Sequence, residues 1–514
     1  RAGVHRHGAA PFAIRARRCT TESGSDAVEI VVADGGPGIP QDEVDRVFER
    51  SPQNPGAELL QKSIDYGVSE LGFDPDAFVY ELVDSILGDN YPVPDRMLVH
   101  SERVTQRYLT RTMFGDRPPK GEFKLFAVEG ATAAMCYVFK SLLANRLLQK
   151  GDTIALGTPI FTPYIEMPKL EDFGFETVEI AQSSMEDGRH TWQYPEEEIR
   201  KLEDPRIKAF FLVNPSNPAS FAMLPETYER IVRLVREKRP DLIILTDDVY
   251  GTFIEGFRSL AAELPHNTIL VYSYSKLYGC TGIRLGVVGI HEDNILDRKL
   301  EQLPAHEKQA LHRRYESITD EPESLAFIDR MVADSRDVAL NHTAGLSLPQ
   351  QTQMMLFSLS TLLDEDDAYI KRCRSILRER LEKLAEGFGV PVPEDAMRVG
   401  YYVDLDLQAW GRKHVGEDFI RYVEAHRQPL DVVVNLARRY GTVLLNGSGF
   451  EGPSWSVRVS LANLDTDDYA TIGRNLATVM RNAIQKWQGD QDDEPSPQNS
   501  RALGAGPVLS GAPR

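Results

Sequence analysis

The sequence predicts an α/β protein, a large domain built on a mostly parallel sheet with a smaller α/β unit beside it. Two observations carry this. From about residue 120, short apolar runs that stop at Gly, Pro or polar residues alternate with amphipathic helical stretches. The chain has 514 residues, 42% hydrophobic and 26% charged, enough to bury the core such a sheet requires.

The elements follow in order. "FKLFAVEG" reads as a strand, and "ATAAMCYVFKSLLANRLLQKG" after it as a helix running to Gly151. "DTIALGTP", "FETVEIA", "IKAFFLVNPSNP", "DLIILTDDVY", "NTILVYSYS" and "RLGVVGI" are further apolar runs, with helices such as "PETYERIVRLVREKRP" between several of them. A charged helical stretch covers about 290–340, and "SLPQQTQMMLFSLSTLL" opens another helix with Pro349 in its first turn. Beyond residue 365 a long helix and the strands "YYVDLDL", "GTVLLNG" and "SWSVRVSLA" read as the smaller unit, which the helical residues 56–112 are expected to join. The domain expectation is 113–345 for the large domain, 58–112 with 346–487 for the small one, and 488–514 as a polar, Pro- and Gly-rich disordered tail.

Composition excludes several function classes. The formal charge of −19, from 58 basic against 77 acidic residues, argues against nucleic-acid binding. No apolar run approaches the roughly 18 residues that cross a bilayer. Cys19, Cys136, Cys280 and Cys373 have neither pairing nor metal-site spacing, so a reducing, cytoplasmic setting without a metal is expected.

In parallel sheets ligands gather at the carboxyl ends of the strands. Gly130, Asn217, Asp247, Tyr250, Ser273 and Lys276 all fall at those ends. Lys276 and Arg284 also flank the junction of two strands, where solvated cations are not expected. Taken singly, each residue has an ordinary explanation as a cap, a turn or a solvated charge. Their order changes that. Ser273, Ser275, Lys276, Gly279, Gly282 and Arg284 match S-x-S-K-x-x-G-x-x-G-x-R, and "EGAT", "PIF", "NPSNPAS" and "DDVY" precede them, with "SVRVS" following.

This series resembles the fold-type-I pyridoxal-phosphate aminotransferases. The stretches "FAVEGATAAM", "GTPIFTPYIE", "ILTDDVYGTF", "DSRDVALNHTAGLSLPQQTQM" and "RVSLANL" resemble the aspartate 4-decarboxylase branch, over about residues 58–487. The resemblance implies a mostly parallel seven-stranded sheet and pyridoxal 5'-phosphate as cofactor. It implies conversion of L-aspartate to L-alanine and CO2 with side transamination of related amino and keto acids, in a homodimer or larger oligomer. Lys276 would bond covalently to the cofactor aldehyde and then move protons. Asp247 would hold the ring nitrogen protonated, while Asn217 and Tyr250 bond the ring hydroxyl and Phe161 stacks on the ring. Gly130, Ala131 and Thr132, at a helix start, would cradle the phosphate with Ser273, Ser275 and Arg284. Arg458, with Asn217, would bind the substrate α-carboxylate. Tyr91 is a candidate for the partner subunit's phosphate and Arg336 for the distal carboxylate. Aspartate transamination alone stays open, as does an impaired pyridoxal-phosphate-binding protein.

The amino-terminal text departs from that family. "DAVEIVVADGGPGIPQDEVDRVFER" resembles part of a histidine-kinase-type ATPase domain, a strand followed by Asp34, Gly36, Gly38 and a helix. Residues 1–57 are therefore expected to be an ATPase-like, non-functional piece fused to a decarboxylase lacking its own start. A signalling role built on that piece is the competing function class.

Overall fold

A computed structural model describes residues 13–20, 26–33, 55–88, 96–182, 185–186, 189–336, 338–340, 345–392 and 394–492. The chain divides into two compact units, residues 1–65 and 66–514. In the first, β1 (Ala13–Thr20) pairs antiparallel with β2 (Asp26–Ala33), so the strand expected from Asp26 is present. Asp34, Gly36, Gly38 and the helix expected after them lie outside the described residues.

The second unit is organised by a seven-stranded sheet. Its strands are β3 (Phe123–Val128), β4 (Thr153–Thr158), β5 (Glu176–Ala181), β6 (Ile207–Val213), β7 (Ile243–Asp247), β8 (Thr268–Ser273) and β9 (Gly286–His291). Their spatial order is β3-β9-β8-β7-β6-β4-β5. Only β9 runs against its neighbours, β8 and β3; the other pairings are parallel. The central strands are apolar because helices cover both faces. Ile231 and Val235 of the helix Pro225–Lys238, for example, pack in one cluster with Phe210, Leu212 and Ile244.

The reversed strand positions the site. Ser273 at the end of β8 stands opposite Gly286 at the start of β9, and Gly286 stands opposite Val128 at the end of β3. Asp247 aligns with Val271 on one side and Val213 on the other. Five strands thus deliver their functional ends, or in β9 its beginning, to one edge of the sheet. That is why an arginine just before β9 meets residues just after β3 and β8.

A three-stranded antiparallel sheet lies further along the chain: β10 (Tyr402–Asp406), β11 (Leu445–Asn446) and β12 (Ser456–Ser460), in the order β10-β12-β11. Of "GTVLLNG" only two residues are strand, because Asn446 turns its amide group onto the carbonyls of Ser454 and Ser456 and begins a 3₁₀ turn. The long helix Ala368–Phe388 packs against the last helix, Thr466–Asp492. That last helix continues past Gln488, into the first residues of the expected tail.

Two further helices are fastened to the main sheet. Val99–Met113 packs against Leu348–Leu363. Tyr108 shares a 2.6 Å hydrogen bond with Tyr272 of β8, and Tyr274 shares one of 2.7 Å with Ser358. Buried phenols need such partners, and these hold both helices against β8 and the residue that follows it. The helix from Ala131 ends at Ala144, not at Gly151. Asn145 stops it by turning its side chain toward Asp334, and Arg146 follows in the left-handed region at φ 61°.

Asp334 closes the charged stretch after β9, which forms helices Ile295–Glu301, Ala305–Tyr315 and Phe327–Ser335. Its carboxylate is fully buried and accepts from Ser141, Asn145, Arg314 and Tyr315 at 2.6 to 3.0 Å. Two donors come from the segment beginning at Ala131 and two from the charged stretch, so this one acid pins the two together.

Candidate active site

At the sheet edge a cavity of about 150 Å³ is lined by Ala131, Thr132, Phe161, Asn217, Asp247, Tyr250, Ser273, Ser275, Lys276 and Arg284, all expected from the sequence. Tyr164, Val213, Val249, Thr281 and Tyr402 complete it. Asp247, buried at the end of β7, and the cations Lys276 and Arg284, which follow β8, line the same cavity.

The anion-binding end is built from backbone. Gly130 has φ 86° and precedes the helix Ala131–Ala144, whose first N–H groups have no partner within the helix. Arg284, also at positive φ (65°), donates to the carbonyl of Thr281 at 2.9 Å and to that of Glu129 at 3.3 Å. A Cβ on Gly130 would lie 2.1 Å from the Arg284 guanidinium, so only glycine lets cation and helix start converge. Gly286 is equally constrained, since a Cβ there would sit 2.6 Å from Gly130 Cα. Ser273 Oγ donates to Ser275 Oγ (2.9 Å) or to the Leu285 carbonyl (3.0 Å), and Ser275 N–H donates to Ser273 Oγ. Free helix N–H groups, two serine hydroxyls and an arginine are the donor set a phosphate dianion requires.

Gly286→Ala is expected to push the Gly130 turn off the sheet. Overpacking of this kind costs about 1–3 kcal/mol. The expected result is a lowered melting temperature together with weakened binding of a phosphate-bearing ligand, measured by titration. Unchanged values would show that the two backbones have room to part.

The acid end is buried. Asp247 is 4% exposed and its Oδ1 accepts from Val249 N–H at 3.2 Å, while its Oδ2 accepts from Tyr164 at 2.8 Å. Burial pushes its carboxyl up to about 6, against the Tyr164 and Val249 hydrogen bonds and the Lys276 charge, which all favour ionisation. The neighbouring Asp248 is pushed up to about 7 by burial. The Tyr250 hydroxyl is held well above its ordinary value, by burial first and then by Tyr402, whose ring centroid is 5.8 Å from its own.

Lys276 Nζ lies 5.6 Å from the Tyr401 ring centroid. Phe161 starts the short helix Thr162–Glu166 and meets Tyr164 edge to face, with centroids 5.4 Å apart. Arg458, on β12, donates to Asn217 Oδ1 at 3.0 Å, with its guanidinium over the rings of Tyr402 (4.2 Å) and Phe450 (4.6 Å). Two aromatic faces and one amide thus fix the plane of the fork without neutralising it.

Arg336 is not brought to this cavity. It caps the helix Phe327–Ser335, is 2% exposed, and lines a separate cavity with Ser317, Asp329 and Val332. Tyr91 lies outside the described residues.

The sequence motifs do not mark Tyr164, Tyr401 or Tyr402, nor the full setting of Tyr250. A signal for two of them was present. Tyr164 is three residues after Phe161, hence on the same side of a helical turn. Tyr402 and Asp404 alternate on one face of β10, and Asp404 stands opposite Arg458.

The family profile described as aminotransferase class I and II matches residues 122–474. A bifunctional aspartate aminotransferase and L-aspartate beta-decarboxylase of Pseudomonas is 48% identical over 433 residues, 84% of this chain and 81% of that protein. A probable aspartate/prephenate aminotransferase of Aquifex aeolicus is 25% identical, over 46% of this chain and 59% of its own. Among solved structures, an aromatic aminotransferase from Pyrococcus horikoshii superposes with a TM-score of 0.57 at 18% identity, covering 81% of this chain and 94% of its own. The Thermus thermophilus aspartate aminotransferase with maleate gives 0.54 at 18%, covering 82% and 88%. Those two likenesses speak for the fold, and the profile and the Pseudomonas relative speak for descent. The chain belongs to the class I and II aminotransferases.

Proposed function

We propose that this chain is a pyridoxal-phosphate enzyme that removes the β-carboxyl group of L-aspartate, giving L-alanine and CO2, with aspartate transamination as a side activity. The observation that carries the reading is the convergence at one sheet edge of Lys276, the buried Asp247 and the Gly130–Arg284 cradle, with Arg458 held beside Asn217. The 48% identity to a protein named for both reactions supports the substrate.

The residues fit the cofactor. Ala131, Thr132, Ser273, Ser275 and Arg284 would hold its phosphate, Asp247 its ring nitrogen, Asn217 and Tyr250 its ring hydroxyl, and Phe161 its ring face. When bound, the group supplies an electron sink joined to the substrate's amine-bearing carbon. Lys276 Nζ would take the proton from that carbon. Arg458 would orient the α-carboxylate through two parallel hydrogen bonds. The C–C bond to the β-carboxyl would then break, CO2 would leave, a proton would take its place on Cβ, and Lys276 would return the proton to the amine-bearing carbon, so aspartate plus one proton gives alanine plus CO2.

Transamination alone is the second reading. What favours it is that the Pseudomonas relative is named for aspartate transamination as well as for decarboxylation. The assay that decides is incubation of purified protein with L-aspartate, measuring alanine and CO2 against oxaloacetate formed with a keto-acid acceptor. Alanine with stoichiometric CO2 is expected. Oxaloacetate without CO2 would leave only the second reading.

Arg458→Lys should raise the KM for aspartate by roughly tenfold or more, because a point charge cannot replace the bidentate fork. An unchanged KM would remove Arg458 from substrate binding.

We also take the working unit to be a cytoplasmic homodimer or larger oligomer. The helix Pro75–Leu87 exposes Val79, Tyr80, Val83, Ile86 and Leu87, with Tyr80 and Leu87 about 70% exposed, which supports assembly. Cys136, Cys280 and Cys373 are free, which agrees with a reducing setting.

A further inference from the structure

We propose that Tyr164 is a positioning residue of this site: its phenol fixes the orientation of the Asp247 carboxylate and supplies a hydrogen bond that the charged form needs. The proposal rests on the cofactor reading above and deepens it, since Asp247 is the group assigned to the ring nitrogen.

Three observations carry it. Tyr164 Oη donates to Asp247 Oδ2 at 2.8 Å, and the two side chains are 1% and 4% exposed, so no water competes for the bond. The tyrosine ring is clamped, edge-on to Phe161 at 5.4 Å and tilted against Phe211 at 4.7 Å, so the hydroxyl cannot swing away. An ionised carboxylate only accepts, so the phenol is the donor. It keeps its proton, because burial and the Asp247 charge hold its pKa well above the ordinary value.

The charged and titratable surroundings agree. Asp247 faces Lys276 from the loop after β8, with Asp248 and Tyr250 following just beyond its own strand. Tyr164 faces Cys136 from the helix Ala131–Ala144, and Arg284. Burial and Asp248 oppose the charge on Asp247, while Lys276, Val249 N–H and the Tyr164 hydroxyl favour it. Of the favourable groups, the tyrosine is the only side chain that touches the carboxylate and has no other role in the site.

Removing the hydroxyl raises the pKa of Asp247, so its ionised fraction falls first at the acid end. Tyr164→Phe keeps the ring and its packing. The test is titration of cofactor-free protein with pyridoxal phosphate between pH 5 and 8, followed by absorbance of the bound chromophore. Tyr164→Phe is expected to weaken binding by about tenfold near pH 5.5 and much less at pH 8. In an Asp247→Asn background the same change is expected to have no further effect, which also separates this role from a defect in folding. A loss equal at every pH, or one that persists in the Asn background, would overturn the role and leave Tyr164 as core packing. A wild-type chain that binds no chromophore would instead overturn the cofactor reading, and this role with it.

Discussion

Lys276→Ala is expected to retain no borohydride-trapped cofactor and to lose turnover by roughly 10⁴-fold or more, since one amine provides both the covalent bond and the proton transfers. Lys276 lies in the turn between β8 and β9, half-buried, with Nζ facing the Tyr401 ring. Among the described residues its amine makes no hydrogen bond or ion pair, so its loss should leave folding intact. Arg284, Ser273, Ser275 and the Gly130 turn remain, and the variant should still bind the cofactor reversibly through its phosphate. Peptide mapping of the reduced wild-type protein checks the assignment. A label on any other lysine would overturn it.

Asp247→Asn should bind cofactor yet turn over slower by orders of magnitude, because a neutral amide cannot hold a ring nitrogen protonated. A second consequence is independent of activity. The Asp247 carboxyl has a folded value of about 6, above its ordinary 3.8, with burial as the cause. An acid raised in this way leaves stability intact below the unfolded pKa and removes it as pH climbs through the folded pKa. The cofactor-free wild type therefore carries a penalty of up to about 3 kcal/mol at pH 8 that is largely gone by pH 4. Cofactor-free Asp247→Asn should melt higher than wild type at pH 8, with the gap closing toward pH 4. Thermal unfolding across that range checks it, and an equal gap at all values would sink the explanation.

The residues legible in the sequence share a property. Lys276, Arg284, Ser273 and Gly130 sit within a few positions of a strand end, so local order fixes their place once the sheet forms. Asp247 and Asn217 were legible for the same reason. Tyr402 and Tyr401 were not, because they come from the smaller sheet and reach the site only when β10 has paired with β12. Tyr164 was overlooked because a tyrosine on a short helix has core packing as its ordinary explanation. The end of the helix at Ala144 was illegible for a different reason. Nothing in "NRLLQKG" before Gly151 forbids helix, and the stop comes from Asp334, 189 residues along the chain. Arg336, a candidate by resemblance alone, lines a different cavity.

The Asp334 contact has a bearing on engineering. The charged stretch between β9 and the helix at Leu348 looks on paper like a detachable module, one that could be trimmed to leave a plainer aminotransferase. It cannot be cut cleanly. Deletion that removes Asp334 strands Asn145 and Ser141 without their acceptor, at the far end of the very helix whose first turn faces the phosphate site. Deletion that keeps Asp334 but removes Arg314 and Tyr315 leaves a carboxylate inside protein with half its donors gone, a change that is costly in any buried ion network. A graft of this stretch into a relative lacking the Ser141–Asn145 pair would meet the same mismatch from the other side. Stretch and helix are in effect one inheritable part, and design that exchanges segments between members of the family has to carry both together.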